Sequence, residues 1–424
     1  MTHPDAHPVH LRDTLADLRA RYAAFQDMKL KLDMTRGKPS PAQLDLANGL
    51  FETVTSADFK AADGTDTRNY GGLEGLPEAR QLFADLFEVG ASEVLIGGNS
   101  SLQLMFDTLL RCHVFGVGAG HTPWGKLDGG KPARFLCPVP GYDRHFAIVQ
   151  LLGYELVTVP MTGAGPDLDA VERLAADDPS VKGIWIVPKY SNPTGESVSA
   201  ANVQRLATMK FAAPDFRVFW DDAYTLHHLG PEVDVVPNLL AACKAAGNAD
   251  RVFIFGSTSK ISHAGAGLSA MAASPANIAW CTKHLGKQTI GPDKVNQLRH
   301  TRFYKDLAGL RAHMEKHAAL LRPRFDAVLS VLAEELGGSG LATWTSPRGG
   351  YFVSLDTRPG FAKRVVQLAA DAGVKLTEAG ATFPFGTDPD DRNIRIAPSF
   401  PSVAELTQAT RVLATAIKLA WAER

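Results

Sequence analysis

The stretch RVFIFGSTSKISHAGAGLSAMAA, residues 251–273, places a single lysine between two predicted strands. The apolar runs at residues 252–256 and 268–273 have the length and composition of buried strands. Between them, Lys260 has only Ser, Thr, Ile, His, Gly and Ala for neighbours, most of them small. A lysine in such a pocket can lose its proton by desolvation and form a Schiff base with an aldehyde. A solvated surface lysine is the alternative, and this stretch alone leaves it open.

Short apolar runs alternate with longer amphipathic runs through the middle of the chain. The strand-like runs cover residues 94–98, 134–140, 155–161, 183–188, 217–220, 252–256 and 268–273. The helix-like runs between them include residues 100–114, 142–152, 168–176 and 199–211. This alternation predicts an α/β fold with a mainly parallel central sheet flanked by helices, in which ligands bind beyond the carboxyl ends of the strands.

The C-terminal third has a different pattern. Helical runs dominate from about residue 291, notably residues 294–336, and are followed by a strand-like run at 350–355 and a final helix at 403–422. Because 424 residues exceed one ordinary compact core, we expect a second, smaller α+β domain. The predicted division is a large domain of residues 50–305 and a small domain of residues 1–49 and 306–424.

Charge and cysteine content argue against several classes of protein. The 44 basic and 45 acidic residues nearly cancel, so no strong field attracts nucleic acid or an anionic membrane. The cysteines form no CxxC pair and are interpreted as small buried hydrophobes in a reducing compartment. The polar N-terminus and the lack of any run of about 18 apolar residues predict a cytoplasmic protein. The cysteines are Cys112, Cys137, Cys243 and Cys281.

No metal site is expected. His313 and His317 are four residues apart on a predicted helix, but Glu315 is misplaced for an HExxH motif and no third ligand is evident. We therefore expect these two histidines on a solvated helix face.

The stretch VFWDDAYTLHHL, residues 218–229, ends a strand-like run with two aspartates. A carboxylate at this point can hold a pyridine nitrogen protonated, and the phenol of Tyr224 can bond a ring oxygen. Asp221 and Asp222 could equally cap the next helix, so the pattern leaves both ring binding and helix capping open.

Two further polar clusters directly follow strand-like runs. In VPKYSNPTGESVS, residues 187–199, the NPTG tetrapeptide is typical of a turn, and the amide of Asn192 can also donate to a ring oxygen. In VLIGGNSSLQLMFDTLL, residues 94–110, a helix opens at residues 99–101. Its free N–H groups and hydroxyls either cap the helix in the ordinary way or form an anion site suited to phosphate.

Taken in chain order, the helix start, NPTG, D-x-A-Y and S-x-S-K motifs resemble the fold-type I pyridoxal-phosphate enzymes, and among them the class I and II aminotransferases. The resemblance extends from MTRGKP at 34–39 to NIRIAPSF at 393–400. It is closest to a bacterial group of aspartate aminotransferases often labelled MocR-like. Only about 35 residues precede the RGKP motif, so we expect no DNA-binding domain of the kind found in MocR regulators.

The resemblance implies a role for each matching residue. Lys260 would be the Schiff-base lysine and proton carrier, Asp221 would pair with the pyridine nitrogen, and Arg395 would grip the substrate α-carboxylate. Asn192 and Tyr224 would bind the ring oxygen, and Tyr142 would stack on the ring. The other expected cofactor-binding residues are Gly98, Asn99, Ser100, Ser101, Ser257, Ser259 and the partner subunit's Tyr70, and the expected substrate-binding residues are Gly37, Asn192 and Arg395.

One position departs from the family pattern. Leu268 stands where most relatives have an arginine that neutralises the cofactor phosphate. Compensation is then expected from the helix start near Ser100, from Ser257 and Ser259, and from the partner subunit's Tyr70, with His263 as a further candidate. A second cation should read the distal carboxylate of the substrate, and the candidates are Arg36, Lys38, Arg68, Arg144, Arg299 and Arg302.

The sequence therefore predicts a homodimeric aminotransferase with shared active sites and pyridoxal 5′-phosphate as cofactor. It would move an amino group between an L-amino acid, L-aspartate by resemblance, and 2-oxoglutarate in a ping-pong reaction. A β-lyase or a broad-specificity aminotransferase would share every ring-binding residue, and a ligand-sensing regulator would share the binding site. The expected partners are the amino acid and the 2-oxo acid, with no nucleic acid, membrane or metal.

Overall fold

The computed structural model describes residues 9–11, 13–35, 37–118 and 120–424 of the chain. Its α-helices are α1 (Leu15–Asp27), α2 (Pro41–Asp45), α3 (Pro77–Phe87), α4 (Ser101–Phe115), α5 (Asp143–Leu151), α6 (Leu168–Ala175), α7 (Ala200–Thr208), α8 (Leu239–Ala245), α9 (Pro275–Gln288), α10 (Lys294–Tyr304), α11 (Leu307–Leu336), α12 (Ala362–Asp371) and α13 (Val403–Ala422). Its strands are β1 (Leu32–Asp33), β2 (Val94–Ile96), β3 (Arg134–Val139), β4 (Glu155–Pro160), β5 (Val181–Ile186), β6 (Arg217–Asp221), β7 (Val252–Ser257), β8 (Ser269–Ala273), β9 (Ala342–Trp344), β10 (Val353–Thr357), β11 (Val374–Lys375) and β12 (Asn393–Ile396).

The central sheet has seven strands in the order β2-β8-β7-β6-β5-β3-β4. Neighbours from β7 through β4 are parallel, and β8 runs antiparallel to both β2 and β7. Every residue of β5 and β6 is buried, as expected for parallel strands covered on both faces. The predicted α/β fold with a mainly parallel sheet is therefore confirmed.

The sheet brings the polar clusters to one edge. The strands β3, β5, β6 and β7 are parallel, so their carboxyl ends point the same way. The strand β6 ends at Asp221 and β7 ends at Ser257, while Tyr142 and Asn192 follow β3 and β5. The residues singled out in the sequence therefore emerge on the same side of the sheet, where ligands bind in this class of fold.

The long helix expected over residues 294–336 is instead two helices. The first ends at Tyr304, and Lys305 has a left-handed φ of 66°. The side chain of Asp306 then caps the second helix by accepting a hydrogen bond from the N–H of Gly309 at 2.8 Å. The helix prediction rests on the spacing of apolar residues, and an aspartate cap inside a polar run does not change that spacing. The break was therefore not predicted.

A second cluster of buried side chains surrounds a three-stranded antiparallel sheet, β12-β10-β9, with α1, α11, α12 and α13 around it. The N-terminal segment joins it because β1 pairs in parallel with β11. The predicted domain bounds at residues 50 and 305 remain a prediction. The four cysteines are free and buried, as expected. Among the described helices, none combines the length and apolar character needed to cross a membrane.

The aromatic core of the central sheet supports a stability prediction. Phe219, in β6, is fully buried, and its ring lies 4.8 Å from that of Trp185 and 5.6 Å from those of Phe135 and Phe253. The Phe219→Ala variant should lose about 3–5 kcal/mol of unfolding free energy because the cavity cannot fully collapse. Calorimetry should show a lower melting temperature, whereas Phe385→Ala, at a side chain that is 64% exposed, should melt like the wild type. Equal melting of the two variants would contradict this account of the core.

Candidate active site

One cavity of about 310 Å³ opens at the carboxyl edge of the central sheet and gathers most of the predicted site residues. Strand ends supply Asp221 and Ser257, the start of α4 supplies Ser101, and the three-stranded sheet supplies Arg395. The predicted residues that line this cavity are Gly37, Ser100, Ser101, Tyr142, Asn192, Asp221, Tyr224, Ser257, Ser259, Lys260 and Arg395.

Three predicted residues lie outside the cavity. The carbonyl of Gly98 accepts hydrogen bonds from the N–H and the hydroxyl of Ser269, at 2.8 and 2.9 Å. The carbonyl of Asn99 accepts from the hydroxyl of Ser259 at 2.9 Å, so both residues shape the loop rather than face the cavity. Tyr70 is 83% exposed, on the surface of the single chain.

Lys260 is half-buried in the turn between β7 and β8. Its Nζ lies 4.9 Å from the centre of the Tyr224 ring. Burial lowers the pKa of Lys260, and the carboxylate of Asp221 opposes this shift. The small residues around the lysine are needed for close packing: a Cβ on Gly267 would lie 2.9 Å from the carbonyl of Asn99 and 3.1 Å from the N atom of Ser259.

Asp221 is buried, and its two carboxylate oxygens have different surroundings. Oδ2 lies 3.0 Å from Nε2 of His145, whose ring stacks on Trp185 at 4.4 Å. Oδ1 has no hydrogen-bond partner within the described chain, although Asp221 lines the cavity. A buried acceptor without a donor is costly, so this oxygen suits a ligand that brings an N–H group. His145 was missed in the sequence because only the folded sheet brings α5 next to β6.

Arg395 reaches the cavity from β12. One terminal nitrogen, Nη1, lies 3.3 Å from Oδ1 of both Asp143 and Asn192, and Nη2 lies 3.4 Å from Oγ1 of Thr377. The guanidinium also lies 4.9 Å from the centre of the Phe352 ring. Its buried Nε has no hydrogen-bond partner among the described residues. Arg392, the other arginine of the NIRIAPSF region and an alternative candidate for the carboxylate, does not line the cavity.

Hydroxyl groups line the end of the cavity near α4. The hydroxyl of Ser100 accepts a hydrogen bond from the N–H of Leu102 at 3.2 Å, and the hydroxyl of Ser257 donates to that of Ser259 at 3.0 Å. Leu268, in place of the family arginine, is buried in the core, and its N–H donates to Oγ1 of Thr258 at 2.8 Å. His263 stacks on Phe51 and does not line the cavity.

The geometry separates the six candidates for the distal cation. Lys38 and Arg144 line the cavity. Arg68 and Arg302 are engaged elsewhere, each 2.6 Å from an aspartate oxygen, and Arg299 does not line the cavity of its own chain. Arg36 lies outside the described residues.

The expectation of a solvated face for His313 and His317 is wrong. Both are buried, because α11 packs this face against the lysine turn and α2. Nε2 of His313 lies 2.9 Å from the carbonyl of Ile261, and Nδ1 of His317 lies 3.2 Å from the amide nitrogen of Gln43. Two histidines at helical spacing give no sign of which face is buried, so only tertiary packing decides.

A mainly parallel sheet with a lysine and an aspartate at its carboxyl edge, and an arginine from a smaller sheet in the same cavity, is the arrangement of a fold-type I pyridoxal-phosphate enzyme. The family model described as aspartate amino-transferase matches residues 7–424. The chain belongs to this family and is an aminotransferase.

Known proteins support the assignment. The chain is 49% identical to an aspartate aminotransferase of Corynebacterium glutamicum, over 96% of this chain and 93% of the relative. A crystal structure of an aspartate transaminase from the same species has a TM-score of 0.93 at 49% identity, with 96% of both chains covered. A third relative is the α-aminoadipate aminotransferase LysN of Thermus thermophilus, whose crystal structure was solved with N-(5′-phosphopyridoxyl)-L-leucine. The match has a TM-score of 0.76 at 23% identity and covers 96% of this chain and 98% of the LysN chain, which shows the shared fold.

Proposed function

We propose that this aminotransferase uses pyridoxal 5′-phosphate to exchange an amino group between L-aspartate and 2-oxoglutarate by a ping-pong reaction. The observation that carries the proposal is the carboxylate of Asp221. Its Oδ1 is buried without a donor in the cavity that also holds Lys260, which fits a protonated pyridine nitrogen. An amine and a carboxylate with one unpartnered oxygen in the same cavity therefore match the two ends of the cofactor's reactive ring.

The other cofactor-binding residues follow from their place in the cavity. The oxygen of Asn192 accepts from Arg395, which leaves its N–H groups, together with the phenol of Tyr224, for the ring oxygen. Burial raises the pKa of Tyr224, so its hydroxyl keeps its hydrogen and can donate. The N-terminus of α4 suits the phosphate, with hydroxyls supplied by Ser100, Ser101, Ser257 and Ser259.

Pyridoxal 5′-phosphate, when bound, supplies an aldehyde that condenses with amines and a ring that withdraws electrons. Lys260 would supply the amine and carry a proton to and from the α-carbon of the amino acid. Its lowered pKa helps, because a base must be deprotonated to accept a proton. Arg395 would hold the α-carboxylate, and its contact with Asn192 orients it toward the cavity. The amino group of aspartate passes to 2-oxoglutarate, so the products are oxaloacetate and L-glutamate.

The choice of a dicarboxylic substrate is supported by the cations of the cavity. Lys38 and Arg144 line it in addition to Arg395 and Lys260. A second cationic group is what a substrate with two carboxylates needs. The 49% identical relative named aspartate aminotransferase supports the same choice.

We also propose that two copies of this cytoplasmic chain form a dimer with shared active sites. Tyr70 is 83% exposed and lies beside two glycines with positive φ, Gly71 and Gly72. A projecting loop with an aromatic tip suits insertion into a neighbouring copy. There its phenol would reach the cofactor phosphate. No arginine at position 268 would neutralise that phosphate, because the residue there is a buried leucine. Nucleic acid and membranes have no part in this proposal.

The Lys260→Ala variant should lose transamination and the visible absorbance of the cofactor-loaded protein together. Both depend on the same amine. Lys189→Ala is the control, since Nζ of Lys189 donates to the carbonyl of Thr225 and does not line the cavity. If the Lys260 variant keeps an imine that borohydride reduces, another lysine holds the cofactor.

Assay of the wild type distinguishes the remaining alternatives. Aspartate and 2-oxoglutarate should yield glutamate. Pyruvate or ammonia in its place would indicate a lyase, and tight DNA binding at moderate salt without turnover would indicate a ligand-sensing regulator. Equal rates with many amino acids would indicate broad specificity.

Removal of the distal cation should affect dicarboxylic substrates selectively. We expect Arg144→Gln or Lys38→Gln to lower kcat/KM for aspartate by about tenfold to a hundredfold, the cost of a lost charge-assisted hydrogen bond. The value for alanine, which has no second carboxylate, should change little and serves as the internal control. Equal losses for both amino acids would mean that neither cation reads the distal carboxylate.

Shared active sites predict complementation between inactive subunits. Tyr70→Ala and Lys260→Ala subunits should each be impaired alone. A hybrid dimer has one site with both wild-type side chains, so a mixture allowed to exchange subunits should exceed the summed activity of the two separate variants. No gain in proven hybrid dimers would place Tyr70 outside the partner's site.

A further inference from the structure

A chain of buried polar side chains lies behind Lys260, outside the cavity. Gln43 from α2, Tyr351 from the segment before β10, and His313 and His317 from α11 are all buried. None of them lines the cavity, so none is in position to touch a substrate or cofactor there. They form contacts with one another and with the main chain of residues 260 and 261.

The direction of the first hydrogen bonds is determined by a backbone amide. The N–H of Ser40 can only donate, and it donates to Oε1 of Gln43 at 3.1 Å. The other end of that side chain, Nε2, therefore donates to the hydroxyl oxygen of Tyr351 at 2.9 Å. Burial raises the pKa of Tyr351, so the phenol keeps its hydrogen and donates it to the carbonyl of Lys260 at 3.4 Å.

The two histidines lie beside this path, close to the next peptide group. Nε2 of Gln43 also lies 3.2 Å from Nδ1 of His317, which must then accept. Burial lowers the pKa of His317 to about 4, so the neutral ring carries its one hydrogen on Nε2. That hydrogen points to Nε2 of His313, 3.1 Å away, which accepts it and so cannot also donate to the carbonyl of Ile261 at 2.9 Å. The continuous hydrogen-bonded path from Gln43 to the lysine turn therefore runs through Tyr351, and the histidines lie beside it.

The far end of the chain belongs to the segment that enters the cavity. Gly37 and Lys38 line the cavity just before Ser40. The carbonyl of Lys38 accepts from the hydroxyl of Ser399 at 2.9 Å, and Arg324 donates to the hydroxyl of Ser40 at 3.0 Å. This segment is thus connected through Ser40, Gln43 and Tyr351 to the carbonyl of Lys260.

We propose that Gln43 and Tyr351 are positioning residues, which couple the placement of residues 37–40 to that of Lys260. This inference rests on the proposed function, because it assigns the amine of Lys260 its role. Proton transfer requires the donor and acceptor atoms to be placed within fractions of an ångström, and small displacements reduce rates many-fold. Holding the lysine by its own carbonyl leaves the side chain free to move.

The test compares two tyrosine variants, each of which removes the donor from one main-chain carbonyl. Tyr351→Phe removes the hydrogen bond to Lys260. Tyr22→Phe is the matched control, because the phenol of Tyr22 donates to the carbonyl of Leu368 at 2.9 Å, away from the cavity. Gln43→Met removes the donor one step earlier with little change in side-chain length. Each is purified with cofactor, and its visible absorbance is titrated against pH.

Tyr351→Phe should move the midpoint of the absorbance titration by more than about 0.3 pH unit, because the lysine changes its position relative to its charged neighbours. It should also lower kcat by about tenfold, with KM for aspartate within about twofold. The double variant Gln43→Met/Tyr351→Phe should be no worse than Tyr351→Phe alone, as expected for groups acting in series. Tyr22→Phe should match the wild type in all these measurements.

Several outcomes would overturn the proposal. A Tyr351→Phe midpoint and kcat equal to those of Tyr22→Phe would do so, as would strictly additive effects of the two substitutions. If Tyr351→Phe does not fold, an unshifted midpoint in Gln43→Met has the same meaning. Absence of glutamate with a normal wild-type titration would reject the proposed substrates but not the positioning residues, whereas absence of any visible absorbance would reject both.

Discussion

The contact between Asp221 and His145 is the interaction on which the site depends. A carboxylate at the buried end of a central strand is costly unless its oxygens have partners. The core provides one, since His145 is held by stacking on Trp185 within the aromatic packing of the sheet. The second oxygen has none from the protein. The aromatic packing that stabilises the sheet therefore holds Oδ2 of Asp221 through His145 and leaves Oδ1 free to accept a hydrogen bond from a ligand. In this way the core determines the chemistry of the cavity.

Much of the fold was readable from the sequence because buried parallel strands give continuous apolar runs. Residues that follow such strands reach a common edge, so the sequence alone could predict Lys260, Asp221 and Asn192 as neighbours. Side chains brought in by packing alone could not be predicted in this way. The contact of His145 with Asp221 depends on strand order, and the burial of His317 depends on what covers α11. Neither feature can be predicted from the local spacing of apolar residues.

Leu268 stands where the resemblance to the family leads us to expect an arginine, and it supplies no charge to this end of the cavity. Leu268 contributes to the apolar core, and its backbone is hydrogen-bonded to Thr258. In the proposed function, hydroxyls such as that of Ser257 and the N-terminus of α4 would compensate the phosphate charge at this end of the cavity. Dipoles of this kind act over shorter distances than a full charge and do not titrate, so their effect depends on their orientation.

The pairing of β1 with β11 joins Leu32 to Val374. A contact across so much of the sequence cannot form until nearly the whole polypeptide has left the ribosome, and ordering it early would cost chain entropy without reward. The central sheet, whose strands lie within residues 94–273, has no such delay. During synthesis, Leu18 and Phe25 of α1 lack the α13 side chains with which they share a buried cluster. The cavity takes Arg395 from β12, so it can be completed only after that late strand has been synthesised.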